Sequence, residues 1–354
     1  MVIKSIKGRN FRKFGEFKFY FHPFLNIILG KNNKGKTTLL EAIHFILTAE
    51  GFRERKEIEL LKIGADQFWV EGEFMSEEKK LVKIFCQKKG EELTKKIVVD
   101  KIERKAKELK KLLVFPLLFK PEDLRISIGE PEVKRKFIDR ILSILHPKYK
   151  SALLNYENAL RRRNKLLTFA KEGSSQINDE LKFWDDYLEK NSKIIISFRK
   201  KFVEFANENN KFTDLLFKVD YEANYFDKTK SLEQREKEIR LGYTLTGPQR
   251  DNFRILFYQD GFLDVKIYGA RSHQRLSTLW LKKVETEYTE KVLKEKFRNN
   301  YKPVLLLDDV FSELDAENRR KVLDSFKGYQ TFVTTTSESI LNEISVPHHI
   351  IFLN

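Results

Sequence analysis

The sequence predicts an α/β fold carrying a long helical insertion, and three observations carry that prediction. A strand, a glycine-rich turn and a helix follow one another over residues 25–48. The wholly apolar run Val304–Leu307 ends on two aspartates, the pattern of a strand buried on both faces. Between these, from Pro131 to about Asn209, apolar residues recur at helical intervals.

In chain order, Val2, Ile3 and Ile6, then Phe17 and Phe19, then Leu25–Leu29 read as three short strands, the last ending at Gly30. Thr37–Thr48 carries Leu39, Leu40, Ile43, Ile46 and Leu47 at helical spacing. Phe68–Phe74, Leu81–Cys86 and Thr94–Val99 alternate as antiparallel strands do, and Leu112–Phe119 reads as one more strand. The helical stretch is broken once, at Gly173-Ser174-Ser175. Strand alternation returns over Asn252–Ile267 around Asp260-Gly261, and Gln274 to about Arg298 is a polar-faced helix. Val304–Leu307, Thr331–Val333 and His349–Leu353 supply the last strands, with a helix over Asp315–Phe326. This places one lobe at 1–120 and 245–354, with an N-terminal antiparallel β subdomain, and a helical second lobe at 121–244.

Composition narrows the classes. With 41% hydrophobic residues in 354 the chain can bury a core, and 68 Lys and Arg against 52 Asp and Glu give +16. Such a charge favours a polyanion, nucleic acid before an anionic membrane surface. The single cysteine, Cys86, excludes an internal disulfide and reads as a buried thiol in a reducing cytosol. Apolar runs are too short to span a bilayer and the N-terminus alternates like a strand, so the reading is soluble, cytoplasmic and free of membrane. The six histidines are scattered, so neither zinc nor a Ser/His/Asp triad is expected.

Gly30-Lys31-Asn32-Asn33-Lys34-Gly35-Lys36-Thr37 fits G-x-x-x-x-G-K-[ST] at every fixed position. Its glycines let backbone N–H groups face phosphates at the positive end of a helix. Lys36 would reach the β and γ phosphates of ATP, and Thr37 would place its hydroxyl on Mg²⁺. The alternative is a glycine-rich turn without nucleotide. Far downstream, Val304–Leu307 delivers Asp308 and Asp309 at the carboxyl end of a strand, where open α/β sheets bind ligands. Asp308 would hold Mg²⁺ and Asp309 would orient or deprotonate the attacking water. Taken alone, two acids after a strand could equally be a helix cap.

Further segments extend the pattern: Arg9-Asn10-Phe11-Arg12, Gly51-Phe52-Arg53, Gly64-Ala65-Asp66 and Pro121-Glu122-Asp123-Leu124. Gly129, Pro131, Arg135, Phe137 and Asp139 follow, with Lys134 where arginine is usual. Ala159-Leu160-Arg161-Arg162-Arg163-Asn164, Trp184-Asp185, Gly247-Pro248-Gln249-Arg250-Asp251, Asp308–Asp315 and Thr334-Thr335-Thr336 complete the set. End to end, the chain resembles the RecF family of ABC-type ATPases. The resemblance implies an ABC-type ATPase head, a P-loop NTPase, whose second lobe forms a short arm. It implies a weak, DNA-linked ATPase using ATP and Mg²⁺, an ATP-dependent homodimer, and double-stranded or gapped DNA as partner. It further implies RecO and RecR as partners in loading RecA, and adds Thr38 and Arg12 to the nucleotide contacts.

One motif departs from the family. Its signature, which touches the γ-phosphate bound to the other subunit, reads S-x-G-Q-Q-R; here Ala270, Arg271, Ser272 and His273 precede Gln274-Arg275. Ala270 donates no hydroxyl bond and Ser272 puts a side chain where backbone approaches phosphate, so ATP-driven dimerisation is expected to be weak. The same departure favours an alternative, an ATP-binding DNA adaptor with little turnover. A transporter ATPase subunit is a third reading, against which stands the absence of a coupling motif in the insertion.

Lys79–Lys111 holds thirteen Lys or Arg against five Asp or Glu, a net of +8. Charges alternate with Val82, Ile84, Ile97 and Val99, so one face is expected buried and the other basic. One reading is a DNA surface using Lys95, Lys96 and Lys101, extended by Arg9, Arg12, Arg53 and Arg55. The other is a solvated lysine-rich face. Arg161–Arg163 cannot share one helix face at about 100° per residue, so some are expected to pair with acids. Phe198 and Phe202 are read as core.

Overall fold

Arg12 and Lys13 turn the first hairpin, with Asn10 and Arg12 in the left-handed region at φ 58° and 52°. The computed structural model describes residues 1–172, 178–297, 302–311, 314–344 and 346–353. β1 (Val2–Phe11) and β2 (Phe14–Tyr20) lead to β3 (Leu25–Leu29) and α1 (Lys36–Thr48). β4 (Gln67–Met75), β5 (Lys79–Lys89), β6 (Glu92–Val99) and β7 (Ile102–Arg104) join β1 and β2 in an antiparallel sheet of order β2-β1-β4-β5-β6-β7. Its inner residues, among them Ile6, Val70, Val82, Ile84 and Ile97, share one core with Leu39, Ile43 and Ile46 of α1. Cys86 is in that core, and burial pushes its thiol up to about 12. The strand expected at Leu112 begins later: α2 (Ala106–Leu112) precedes β8 (Pro116–Phe119). The Lys105 N–H donates to Glu108 Oε2 at 2.8 Å, a capping contact that starts a helix in that charged stretch.

The next segment is helical but not wholly so. α3 (Arg125–Ile128), α4 (Pro131–Leu145), α5 (Pro147–Lys171) and α6 (Asn178–Glu208) come first. Pro147 at the first position of α5 separates it from α4, a break additional to the expected one at Gly173–Ser175, which lies outside the described residues. β9 (Lys211–Phe212), β10 (Leu215–Glu222), α7 (Lys228–Glu233) and α8 (Arg235–Leu241) follow, then β11 (Asn252–Tyr258) and β12 (Phe262–Asp264). These strands form a sheet of order β12-β11-β10-β9. The alternation expected to Ile267 stops at Asp264, whose carboxylate accepts the Lys266 N–H at 2.8 Å and opens α9 (Val265–Tyr268). α10 (Arg271–Phe297) closes the segment.

Two buried arginines organise this part. Arg163 donates to Asp185 at 2.7 Å, Glu238 at 2.6 Å, Thr244 at 2.7 Å and Ser231 at 2.5 Å. Arg199 bonds Asp139 at 2.8 and 2.9 Å and Asp251 at 2.6 Å. Arg161 and Arg162 are exposed, the latter over Trp184. Phe202 is fully buried and Phe198 packs on Tyr149 and His146.

The chain then returns through β13 (Val304–Leu307), α11 (Ala316–Ser325), β14 (Gln330–Thr335) and β15 (His348–Phe352). They pair in parallel with earlier strands in the order β15-β3-β14-β13-β8. The chain divides into two units, Met1–Glu122 with Leu293–Asn354, and Asp123–Val292. The second boundary therefore falls at 292/293 instead of the expected 244/245. The reason is pairing: β11 is hydrogen-bonded along its length to β10, which draws residues after 245 into the second unit.

Candidate functional site

Three neighbouring parallel strands, β3, β14 and β13, end at one cleft of about 410 Å³. After β3 the loop curls into α1 through Gly35 at φ 103°, a backbone that also carries Phe14 against it. A Cβ on Gly30 would stand 2.5 Å from the Leu353 carbonyl oxygen, so that position too admits only glycine without a shift. Lys36 Nζ donates to the carbonyls of Gly30 at 2.7 Å and Lys31 at 3.0 Å, inside the curve of the loop. Burial lowers the Lys36 pKa, opposed by Asp309 and Asp308.

From the far side, Asp308 Oδ1 accepts Thr37 Oγ1 at 3.1 Å and Thr334 Oγ1 at 2.7 Å. Burial raises the Asp308 pKa, against those two hydrogen bonds. Asp309 lines the cleft at a left-handed φ of 50°, its N–H donating to Thr334 Oγ1 at 2.9 Å. Asn32, Asn33, Gly35, Lys36, Thr37 and Thr38 also line it. Lys31 and Lys34 are exposed on the loop and do not.

Arg12, expected at the nucleotide, is held by Glu41, donating to both carboxylate oxygens at 2.8 Å, and does not line the cleft itself. Arg53, expected on DNA, lines the cleft and reaches the same carboxylate at 2.7 Å. Glu41 is fully buried; burial acts to raise its pKa, and the bonds from Arg12 and Arg53 overcome it and hold the carboxyl below its usual range. A second groove, with Arg12, Leu61 and Ile63 in its wall, shares Lys13, Thr38 and Arg53 with the cleft. Sequence reasoning missed Lys13, which donates to Asn33 O and, at 2.9 Å, to Asn33 Oδ1. It missed Glu41 as well, although a lone acid between Leu40 and Ala42 on an apolar helix was a signal.

The basic stretch is less uniform than its composition. Lys95 turns inward, pairing with Glu57 at 2.5 Å and the Ala49 carbonyl at 2.8 Å, because it shares the buried face of β6 with Ile97 and Val99. Lys96 faces out, 3.5 Å from Glu103, and Lys101 is exposed in the β6–β7 turn at φ 71°. In the second unit, Ala270 immediately precedes α10 and Arg271 to His273 begin it. The Ala270 N–H donates to His273 Nδ1 at 3.3 Å, and the His273 ring stacks on Phe257 at 4.6 Å. Arg271 is exposed there and Ser272 half-buried.

The family described as an AAA domain matches residues 5–300. The DNA replication and repair protein RecF of Thermoanaerobacter pseudethanolicus is 34% identical over 358 residues, covering 96% of each chain. That of Lachnospira eligens is 33% identical over 364 residues, covering 98% of this chain and 96% of the relative. The chain belongs to the RecF family. A solved structure described as the recombination mediator protein RecF-ATPrS in the RecFOR pathway matches with a TM-score of 0.75 at 29% identity, covering 99% of this chain and 95% of that one. An Smc head bound to the C-winged helix domain of ScpA matches at 0.55 and 14% identity over 97% and 92%, a likeness of fold. RecF membership replaces the transporter-subunit alternative. Among the described residues no helix is long and apolar enough to cross a membrane.

Proposed function

We propose that the cleft binds ATP and hydrolyses it slowly, and that the chain links this to DNA in recombinational repair and replication restart. One observation carries the reading: Thr37 and Asp308, 271 residues apart in sequence, meet at 3.1 Å beside Lys36. RecF relatives described with ATP and with ATPrS support it. The phosphates would lie on the loop N–H groups and the positive end of α1, with Lys36 against the β and γ groups. Base and ribose would extend toward the groove of Arg12, Leu61 and Ile63.

Mg²⁺ fits the donors present, since it needs only one or two protein oxygens beside those of phosphate, here Thr37 and Asp308. Among the described residues no cluster of acids, His and Cys could hold a metal alone. When bound, the ion neutralises charge on the β and γ oxygens. Asp309 would accept the proton of the attacking water, its backbone fixed by Thr334. Ala270 to His273 of a second copy would complete the site in an ATP-dependent homodimer on double-stranded or gapped DNA. RecO and RecR are the proposed partners in loading RecA.

Lys36→Ala is expected to abolish ATP binding while the chain stays folded, and Asp309→Asn to bind ATP yet stall hydrolysis. Wild-type ATP binding by Lys36→Ala would overturn the assignment of the loop. Ala270 favours a second reading, an adaptor that holds ATP with little turnover. Single-turnover hydrolysis with and without DNA separates the two.

A further inference from the structure

The outer face of the six-stranded sheet carries an arrangement that nucleotide hydrolysis does not use. Register sets Arg9 on β1, Trp69 on β4, Phe85 on β5 and Lys96 on β6 in one row across the sheet. Each alternates with buried neighbours, Gly8, Val70, Ile84 and Ile97, and so faces away from the core. The adjoining row runs Lys18, Lys7, Glu71, Lys83, Val98. Lys83 Nζ lies 4.7 Å from the Trp69 ring centre.

Two half-buried aromatic rings on neighbouring strands each carry a base-stacking face, that of Trp69 once Lys83 swings off it toward a phosphate, and cations at both ends of their row offer further phosphate contacts. The row crosses three strand-to-strand gaps, about 14 Å in all, enough for a dinucleotide step with its flanking phosphates. We propose that this face binds single-stranded DNA, two bases stacking on Trp69 and Phe85 while Arg9, Lys83 and Lys96 contact phosphates. A duplex does not fit the role, because its bases already stack on one another. Acids temper the charge: Glu71 pairs with Lys7 at 2.7 Å, Glu103 lies 3.5 Å from Lys96 and Glu16 3.6 Å from Arg9. Few cations are left uncompensated, so stacking dominates and the salt dependence is shallow. The inference deepens the DNA-binding part of the proposed function and rests on it, but makes no use of the nucleotide cleft.

The test titrates the whole chain, without nucleotide, with oligo-dT of roughly 15 nucleotides and separately with a duplex of that length. Oligo-dT is expected to quench tryptophan emission in the wild type. It should bind at least about tenfold more weakly to Trp69→Ala/Phe85→Ala, with duplex affinity changing less than about twofold. Trp69→Phe, which keeps an aromatic face, should hold its affinity and so separates stacking from damage to the sheet. Unchanged oligo-dT affinity in the double variant overturns the inference, as does an equal loss for both nucleic acids. Absence of oligo-dT binding overturns it too: duplex binding would then leave the proposed DNA function standing, and its absence would remove both. If the double variant alters only self-association in sedimentation, the face is a protein interface and the inference falls.

Discussion

Thr334 and Asp308 share a 2.7 Å hydrogen bond between the carboxyl ends of two adjacent parallel strands. A hydroxyl has one proton, so donation to Asp308 leaves its oxygen to accept the Asp309 N–H at 2.9 Å. One side chain thus fixes the carboxylate placed for Mg²⁺ and the backbone of the acid placed for water. It also works against the burial that raises the Asp308 pKa.

Thr334→Val keeps the shape and removes the donor. Asp308 should then hold its proton to higher pH, and the Mg²⁺ concentration for half-maximal ATP turnover should rise about tenfold, the value of one hydrogen bond to a charged group. Because the metal needs the ionised carboxylate, the defect should widen as pH falls from 8 to 6. Mg²⁺ titrations at both pH values check this. Identical curves for variant and wild type would leave Thr334 a packing residue.

Glu41→Gln should destabilise the first unit by about 3 kcal/mol at neutral pH, since it leaves two guanidinium groups on a buried neutral amide. The folded-state pKa of Glu41 is depressed, so its contribution is present above the ordinary glutamate pKa, about 4.3, and is lost as pH falls through the folded value. Urea denaturation should therefore show a gap at pH 7 that narrows toward pH 3. A constant gap would assign the loss to geometry instead of charge.

The cleft was legible because its parts are local. Gly30–Thr37 and Val304–Asp309 each declare themselves within ten residues, whereas the strand order that joins them is set by pairing through β14. Glu41, Arg53 and Lys13 were harder, because their roles depend on a turn and a helix meeting in space. In the second unit Arg163, Asp185, Asp139 and Asp251 stand in motifs of the family, and a pairing of some of Arg161–Arg163 with acids is expected; the structure closes them into two buried ion networks. Nothing in Arg161-Arg162-Arg163 says which of three arginines turns inward; only the packing partner decides. β10 escaped notice because its alternation, Phe217, Val219, Tyr221, acquires meaning through a partner strand, β11, more than thirty residues on.

Arg163→Met should accordingly cost about 3 to 5 kcal/mol, because Glu238 is left buried without its cation and Asp185 keeps only Arg235, at 2.5 Å. Arg161→Ala, on the exposed side, should change stability by about 0.5 kcal/mol or less. ATP binding to either folded protein should match the wild type. Chemical denaturation with a parallel nucleotide titration checks both. Equal stability of the two variants would contradict the networks described.

At the start of α10, Ala270 is the one family departure whose consequence can be separated into two terms. The Ala270 N–H already donates to His273 Nδ1, which is one half of a capping box; the missing half is a side-chain oxygen at 270 accepting from the backbone of 273. Ala270→Ser supplies it, and should stabilise the nucleotide-free chain by about 1 kcal/mol in thermal or urea unfolding. In an ATP-bound dimer the proton of the same hydroxyl would also be free to go to the phosphate held by the other copy, worth about 0.5 to 1.5 kcal/mol at each of two sites. Together these amount to roughly tenfold or more in dimer affinity. The wild type should therefore be monomeric without nucleotide and dimerise weakly with ATP, more strongly with DNA present. Analytical ultracentrifugation in an Asp309→Asn background, where hydrolysis is stalled, separates the terms. A gain in unfolding stability with no tighter dimer makes position 270 a helix cap alone, and a stable dimer without nucleotide removes the signature from the association altogether.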